Sequence, residues 1–301
     1  MSAIASTPHR IAPPLRQRLS AWGFDGVTLL VLPALVAIVA LFVYPFLYGL
    51  ALSFSPKSGP FYASYKTFFS DPFLRGTIGN TLRLALPATI FNILLAIPVA
   101  FRVRLMRRQR LLTTILVLPV TLGTVLVAQG LITYLGPHGW FNRVLLALHL
   151  IDAPLRLTNN YWGVFASLAI TGFPFTFLLT LSYVSGIDSA LEQAAATLGA
   201  GAAQRFGRIF LPLLVPGLAI TFLLSFVQAF AVFPSAVLLG APAGATHVMS
   251  IAAYQAAFEQ YNASLGSAIA MIMGAVQLVV VAAILGFRSL FYRGPAGGTK
   301  G

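Results

Sequence analysis

The chain has 301 residues, of which 58% are hydrophobic and only 8% are charged. A soluble domain carries roughly 25% charged residues, so these few charges could not cover a water-facing surface and most of the chain must face lipid. The same composition excludes a disordered chain and a water-soluble enzyme, and the absence of cysteine excludes a disulfide scaffold. A net charge of +13 would suggest nucleic acid in a soluble protein, but in a membrane chain it indicates orientation in the bilayer.

Six continuous apolar stretches are long enough to cross a bilayer, whose hydrocarbon core of ~30 Å needs about 20 helical residues. The stretches show no two-residue alternation, which favours helices over the strands of a β-barrel. Several contain proline, which membrane helices tolerate where neighbours satisfy the freed carbonyls. The predicted fold is an all-α membrane protein with six transmembrane helices, at residues 27–51, 78–101, 111–135, 161–183, 213–239 and 265–287.

The positive charges of the chain concentrate on one side of these predicted spans. Thirteen of the 19 Lys and Arg residues fall in the two tails and in the second-to-third and fourth-to-fifth connections. Because cationic segments stay in the cytoplasm, residues 1–26 and 288–301 are predicted to be cytoplasmic tails around a transmembrane domain at 27–287. The connection between the second and third spans contains five arginines: Arg102, Arg104, Arg107, Arg108 and Arg110. Their role in orienting the chain is enough to explain this cluster, and binding of anionic lipid or of nucleic acid are the alternative explanations.

The connection between the fourth and fifth spans, residues 184–212, is long for a link within a helical bundle. Ser189 and Glu192 have the spacing of a capping box, which predicts that a helix starts there. Gly199 is placed to end this helix in the left-handed conformation. A short helix followed by a sharp turn suits docking into a groove of a partner protein, and a helix lying in the membrane interface is the alternative. The residues predicted to share its apolar face are Leu191, Ala194, Ala195 and Leu198.

The same connection resembles the signature loop of inner-membrane permeases of binding-protein-dependent ABC importers. That signature reads Glu-Ala-Ala, three residues, Gly, nine residues, Ile, one residue and Leu-Pro. The chain departs from it at Gln193, where the family has glutamate, although Glu192 stands just before. This departure puts in question a salt bridge from that position to the ATPase, but not the docking helix itself. The positions that fit the spacing are Gln193, Ala194, Ala195, Gly199, Ile209, Leu211 and Pro212.

The resemblance extends over nearly the whole chain and implies the type I importer permease fold, with a cytoplasmic coupling helix in the bacterial inner membrane. Among the subgroups, the chain is most similar to the first permease of spermidine/putrescine importers, particularly in the external run at residues 148–156. Polyamine is therefore the best guess for the solute. Permeases for iron, phosphonates or opines are the alternatives.

The partners also follow from the resemblance. In this family two permease subunits pair, each rests its coupling helix in a groove of a cytoplasmic ATPase dimer, and a periplasmic binding protein delivers the solute. The second permease is expected to be a different chain, and no nucleic-acid partner is expected. Neither Lys57 nor Lys66 follows a glycine, so neither belongs to a phosphate-binding loop. We expect a non-catalytic subunit without cofactors, ATP and Mg being bound by the ATPase, whose cycle drives alternating access.

The resemblance assigns ATPase coupling to Glu192 and to the signature positions given above. Polar side chains inside the spans are the candidates for the solute pathway, because they are costly in lipid and usually face the bundle interior. Gln228 is the strongest candidate, since the third and fifth spans flank the cavity in this family. An interhelical hydrogen bond without solute contact is the alternative for each. The pathway candidates are Gln228, Gln129, Asn92 and Ser225.

Other classes of function lack the residues they need. The four histidines are scattered over tails and loops without zinc-site spacing, and we expect them to be solvated. No acid lies deep within a predicted span, which argues against a stand-alone secondary carrier driven by protons. A membrane enzyme would need a polar catalytic cluster at one interface, and the sequence offers none.

Overall fold

A computed structural model describes residues 26–291 of the chain, and this part is helical without a strand. Five of its helices are long and apolar enough to cross a membrane, and a bent helix pair makes a sixth crossing if it counts as one span. The predicted all-helical membrane fold is therefore confirmed. The chain divides into two compact units, Met1–Leu52 and Ser53–Gly301. The two predicted tails lie almost wholly outside the described residues.

The first span contains a π-helical turn. Regular helices at Gly26–Ile38 and Tyr44–Ser53 flank five π-helical residues, Val39–Val43. Pro45 follows closely and has no N–H, so the wider turn accommodates the missing helical hydrogen bond. The large apolar side chains from Leu30 to Tyr48 are exposed, as suits a helix in contact with lipid.

The second span, Pro72–Arg104, is longer than the predicted 78–101 because it is capped outside the apolar stretch. The carboxylate of Asp71 accepts a hydrogen bond of 2.8 Å from the amide N–H of Phe73, and Pro72 occupies the first turn, where no N–H is needed. Small side chains on the buried face of this helix allow neighbouring spans to approach closely; they include Ala85, Ala88, Ala96 and Ala100.

The third span is broken, so the prediction of one helix at 111–135 is wrong. The structure has helices at Gln109–Thr121 and Gly123–Leu135, followed by Trp140–Ala147, and the chain bends by 80° at the break. Pro119 removes one helical hydrogen bond. Gly123 has a φ of 74°, in the left-handed region that glycine enters without steric cost.

The fourth span agrees with its prediction, whereas the fifth begins and ends earlier than expected. The fourth runs over Tyr161–Ser185, and the fifth over Ala202–Phe230 instead of the predicted 213–239. The chain leaves the helix after Phe230, and a separate short helix follows at Pro234–Leu238. Pro234 occupies the first turn of this short helix, where its missing N–H is not needed.

The sixth span, Ala263–Phe291, packs against a short helix at Met249–Tyr254 and a π-helical turn at Gln255–Glu259. A further short helix, Ala63–Ser70, precedes the second span and also contacts the sixth. The second, fourth and fifth spans form the centre of the bundle through their mutual contacts.

His247 is buried, so the expectation that it is a solvated loop residue is wrong. Its Nδ1 lies 2.6 Å from the carbonyl oxygen of Pro242, and its ring centroid lies 4.4 Å from that of Phe73. The side-chain amide of Asn80 donates to the carbonyl of His247, so this loop is anchored to the second span. His138 and His149 are exposed, as expected; His9 lies outside the described residues.

Candidate functional site

Residues 184–212 contain a short helix at Ser189–Thr197, which we call the connector helix. Its N-cap is Asp188, whose carboxylate accepts a hydrogen bond of 2.8 Å from the amide N–H of Ala190. The predicted helix start is confirmed, but the cap lies one residue before Ser189, and the predicted capping box with Glu192 is wrong. Because aspartate caps as well as serine, Glu192 is left free to bind elsewhere.

The connector helix ends at a glycine turn, as predicted. Gly199 has a φ of 81°. Its amide N–H donates to the carbonyl of Ala196, and the N–H of Ala200 donates to that of Ala195, both at 3.0 Å. These two bonds form a Schellman motif, which satisfies carbonyls at the helix end and reverses the chain direction.

The apolar face predicted for the connector helix is only partly buried. Ala195 is 9% exposed, whereas Leu191 is 46% exposed and Leu198 is 88% exposed. Gln193 and Ala194 are exposed as well. The connector helix and its C-cap residue, Leu198, therefore present two exposed leucines, which is a surface suited to a partner.

The second half of the signature loop begins the fifth span. A π-helical turn at Phe206–Phe210 ends two residues before Pro212, as the turn at Val39–Val43 ends two residues before Pro45. In both places the wider turn precedes a residue that cannot donate a helical hydrogen bond. Ile209 is half-buried here. Leu211 and Pro212 are exposed.

Arg104, in the last turn of the second span, joins several elements at this end of the bundle. Its side chain is 10% exposed. One guanidinium nitrogen donates to the carboxylate of Glu192 at 2.8 Å, and the other donates to the carbonyl of Val184 at 3.0 Å. Its guanidinium carbon lies 4.8 Å from the ring centroid of Phe210 and 5.2 Å from that of Phe101. Such stacking adds cation–π attraction to the hydrogen bonds.

These contacts tie the connector helix to three spans. Val184 lies near the end of the fourth span, Phe210 enters the fifth, and Glu192 lies on the connector helix itself. Arg205 adds a longer contact, 3.8 Å from the other Glu192 oxygen. The sequence marked Arg104 only as one of five arginines, because an ion pair across 88 residues leaves no local pattern.

Three of the four predicted pathway residues line one cavity between the second, fourth and fifth spans. Asn92, Ser225 and Gln228 surround a volume of about 170 Å³. Gln129 does not line this cavity and is exposed on the third span. The sequence did not predict the loop that follows Phe230, and this loop forms one side of the cavity. It also did not predict several further lining residues, which are Thr124, Gly172, Ala231, Val232, Phe233 and Ser235.

Asn92 lines this cavity and has a buried side-chain oxygen without a hydrogen-bond partner. The residue is 3% exposed; its Nδ2 donates to the carbonyl of Leu168 at 3.2 Å, but its Oδ1 has no hydrogen-bond partner. A Cβ on Gly172 would lie 2.7 Å from Asn92 Nδ2, so glycine is required for this packing. Ser225 instead shares a hydrogen bond of 2.9 Å with Thr176, as the interhelical alternative predicts.

The cavity has polar groups in a largely apolar lining and, among its described residues, no charged one. The described residues that line it include amides and hydroxyls and no ionisable side chain. The acids that the structure describes lie in loops, at a helix cap or on short helices, and outside the middle of any span. A solute with hydrogen-bond donors could bind here without meeting a fixed charge.

Comparison with known proteins gives the family and close relatives. The family described as "Binding-protein-dependent transport system inner membrane component" matches residues 92–289. The spermidine/putrescine transport system permease protein PotB of Haemophilus influenzae is 33% identical over 205 residues, covering 65% of this chain and 71% of that protein. The probable sulfate transport system permease protein cysT of Prototheca wickerhamii is 28% identical over 214 residues, covering 70% and 82%.

A solved structure has the same fold. A chain of the bacterial alginate ABC transporter, in complex with an alginate pentasaccharide-bound periplasmic protein, superposes with a TM-score of 0.77. The match covers 93% of this chain and 99% of that chain at 24% identity. The resemblance that the signature loop carries is thus confirmed over most of the length. The chain belongs to the family of inner-membrane components of binding-protein-dependent transport systems.

Proposed function

We propose that this chain passes a small solute from a periplasmic binding protein to the cytoplasm by alternating access, driven by a separate ATPase. Membership in the family already makes it a permease component of an ABC importer, which is a transport subunit and not itself an enzyme. The ATPase, the direction of the conformational cycle and the solute are our proposals.

The connector helix is the observation that carries this proposal. Its exposed side presents Leu191 and Leu198 to a partner, while Glu192 fastens its other side to Arg104. A partner that moves the connector helix would therefore also move the spans to which the helix is bound. We assign ATPase coupling to this helix and to the signature positions Gln193, Ala194, Ala195, Gly199, Ile209, Leu211 and Pro212.

Arg104 is the element through which that motion would reach the spans. A displacement of the connector helix would pull on Glu192, and the ion pair would carry it to Arg104 at the end of the second span. Arg104 also binds the Val184 carbonyl and stacks on Phe210, so the fourth and fifth spans would move with it. Differential binding of ATP to two states of the ATPase supplies the driving force for such a change.

The solute pathway in our proposal passes the cavity at Asn92, Ser225 and Gln228. Gln228 is exposed at the cavity and can donate or accept a hydrogen bond, and the buried Oδ1 of Asn92 would accept one from a solute when the cavity opens. Gln129, which is exposed on the third span, would belong to the pathway only if that face meets the second permease. Alternating access requires such polar groups to exchange solute for water as the cavity changes sides.

The solute in our proposal is a polyamine. The similarity to the PotB protein of Haemophilus influenzae supports it, and an uncharged cavity without Lys or Arg does not repel a cation. A relative is a probable sulfate permease and a solved neighbour belongs to an alginate transporter. Permeases of one fold thus serve different solutes, and iron, phosphonate or opine is the alternative.

The assembly would contain this chain, a second and different permease, a cytoplasmic ATPase dimer that binds ATP and Mg, and a periplasmic binding protein. The chain itself would hold no cofactor and bind no nucleic acid. The concentration of arginine at the end that carries the connector helix supports a cytoplasmic position for this end and for both tails, 1–26 and 288–301. The location would be the bacterial inner membrane.

The test is reconstitution of transport. The chain is co-expressed with the genes beside its own, and the purified complex is analysed for an ATPase subunit. Proteoliposomes then receive the binding protein outside, ATP inside and labelled spermidine, with labelled sulfate as the control solute. We expect ATP-dependent spermidine uptake. Uptake by this chain alone without ATP would overturn the coupling proposal in favour of a secondary carrier, and ATP-dependent uptake of another solute would overturn only the polyamine assignment.

A further inference from the structure

A groove beside the connector helix combines positive charge with an apolar wall. It lies at the end of the second span, where the π-helical turn of the fifth span passes it, and has a volume of about 460 Å³. Its charged lining consists of Arg102, Arg104, Arg205 and Glu192. Three cations face one acid, so the groove attracts an anion.

Arg205 and Arg102 are the two cations of the groove whose charge is not neutralised by a close ion pair within the groove. Arg104 already binds Glu192 and the Val184 carbonyl. Arg205 approaches Glu192 only at 3.8 Å, beyond hydrogen-bond distance, and its side chain is 24% exposed. The exposed part of the Arg205 guanidinium is therefore available to an anionic acceptor from outside the chain, with which it would form a charge-assisted hydrogen bond. Arg102 is exposed at the same groove.

The rest of the groove is suited to hydrocarbon. Its wall is formed by aliphatic and aromatic side chains of the second span and of the segment that enters the fifth. A wall of this kind gains from contact with apolar groups and gains little from a hydrated inorganic ion. The wall residues are Ile97, Pro98, Phe101, Leu105, Phe206 and Phe210.

We propose that this groove binds one anionic phospholipid, with its phosphate at Arg102 and Arg205 and the upper part of its acyl chains along the apolar wall. The groove lies where two membrane spans reach the arginine-rich end, which is the depth of a lipid headgroup. Basic pockets between spans at such an end recognise anionic headgroups through this combination of charge and contact. A free phosphate would leave the wall uncovered.

The bound lipid would act on the connector helix through shared residues. A phosphate that accepts from the exposed part of the Arg205 guanidinium draws this arginine away from Glu192, which leaves Glu192 to Arg104 alone. Arg205 then no longer competes with Arg104 for Glu192, the residue that holds the connector helix to the second span. The lipid is thus placed to stabilise the arrangement that the coupling role needs.

The experiment measures lipid binding to the full chain by native mass spectrometry. The purified chain is offered equal amounts of phosphatidylglycerol and phosphatidylcholine, and the ratio of bound lipids is compared between variants. The groove variant carries Arg102→Gln and Arg205→Gln. The matched control carries Arg107→Gln and Arg108→Gln, which removes the same charge from exposed residues outside the groove.

We expect the preference for phosphatidylglycerol to fall at least about tenfold in the groove variant and to stay within about twofold in the control. A third variant, Ala202→Phe, narrows the groove without changing its charge and should also lower binding. Monodisperse gel filtration of each variant shows that it is folded. An equal loss in both charge variants, or an unchanged preference in the groove variant, would overturn the proposal. Displacement of the lipid by millimolar inorganic phosphate would do so too.

Discussion

The guanidinium of Arg104 donates a hydrogen bond of 2.8 Å to the carboxylate of Glu192, 88 residues further along the chain. Arg104 closes the second span, and Glu192 lies on the connector helix. Both side chains are shielded, at 10% and 31% exposure, so the pair is screened less than a surface salt bridge. The signature position, Gln193, has no carboxylate. The carboxylate of the neighbouring Glu192 binds Arg104 of the same chain.

Replacing Glu192 with Gln should weaken the attachment of the connector helix. A hydrogen bond to a charged group contributes about 1–3 kcal/mol, and the neutral amide would keep only part of it. Arg104→Leu should cost more than Glu192→Gln, because the Val184 carbonyl and the two aromatic rings lose a partner as well. Unfolding of the purified chain in SDS measures both losses.

A double-mutant cycle separates the pair from the other contacts of Arg104. The interaction energy between Arg104→Leu and Glu192→Gln should be about 1 kcal/mol or more. Arg107→Leu, which alters an exposed arginine of the same connection, serves as the control and should show no interaction with Glu192→Gln. If the losses of stability from Arg104→Leu and Glu192→Gln were additive, the two residues would not interact and the ion pair would not stabilise the chain.

Gly199→Val should uncouple ATP hydrolysis from solute uptake in the reconstituted complex while the chain still inserts. The φ of 81° at this residue costs a β-branched side chain about 1–2 kcal/mol. A Cβ here would meet nothing within 4 Å, so the effect comes from the backbone conformation and not from crowding. The ratio of ATP hydrolysed to solute imported is the measurement.

Gly201→Val is the matched control for this substitution. Gly201 also has open space around its Cβ position, but its φ is −67°, which valine adopts without strain. Its hydrolysis-to-uptake ratio should match that of the unaltered chain. Normal coupling in Gly199→Val, or the same defect in both variants, would refute the role given to the left-handed turn.

Leu198→Ser should reduce association with the ATPase and leave the stability of the chain unchanged. The side chain is 88% exposed, so its removal opens no cavity in this chain. A leucine buried at a partner surface contributes about 1.5–3 kcal/mol, which corresponds to a tenfold or greater loss of affinity. Co-purification yield and thermal stability are measured together. Ala203→Ser, an exposed position outside the connector helix, is the control.

Gly172→Ala should disturb the polar cavity. The added methyl group would lie 2.7 Å from Asn92 Nδ2, so the amide must move and its bond to the Leu168 carbonyl weakens. Overpacking of this kind costs typically 1–3 kcal/mol, and uptake should fall with ATP hydrolysis retained. Gly274→Ala, on the sixth span, meets nothing within 4 Å and should leave uptake unchanged. Equal uptake in the two variants would argue against solute passing Asn92.

Hydropathy predicted the crossings but could not place the breaks within them. Residues 111–135 and 213–239 are apolar throughout, yet the third span bends at Gly123 and the fifth ends at Phe230. A proline or glycine in a membrane helix is compatible with either a straight or a broken helix, depending on the neighbours that satisfy the freed carbonyls. The sequence contains the residues that permit a break, and packing selects where one forms.

The sequence by itself determined the apolar stretches that form the membrane helices, the start of the connector helix and the glycine turn that ends it. These are local properties: a lipid core demands about 20 apolar residues per helix, and a left-handed residue at a helix end favours glycine. The resemblance of the loop at 193–212 to the family signature is also local, because it depends on residues close together in the sequence.

Only the tertiary structure decided which side chains meet. It joined Arg104 to Glu192, brought Asn92, Ser225 and Gln228 to one cavity and separated Gln129 from them, and buried His247. In a membrane chain the faces toward lipid and toward the bundle are both apolar, so hydropathy does not reveal how each helix is rotated. That rotation determines which distant residues come into contact.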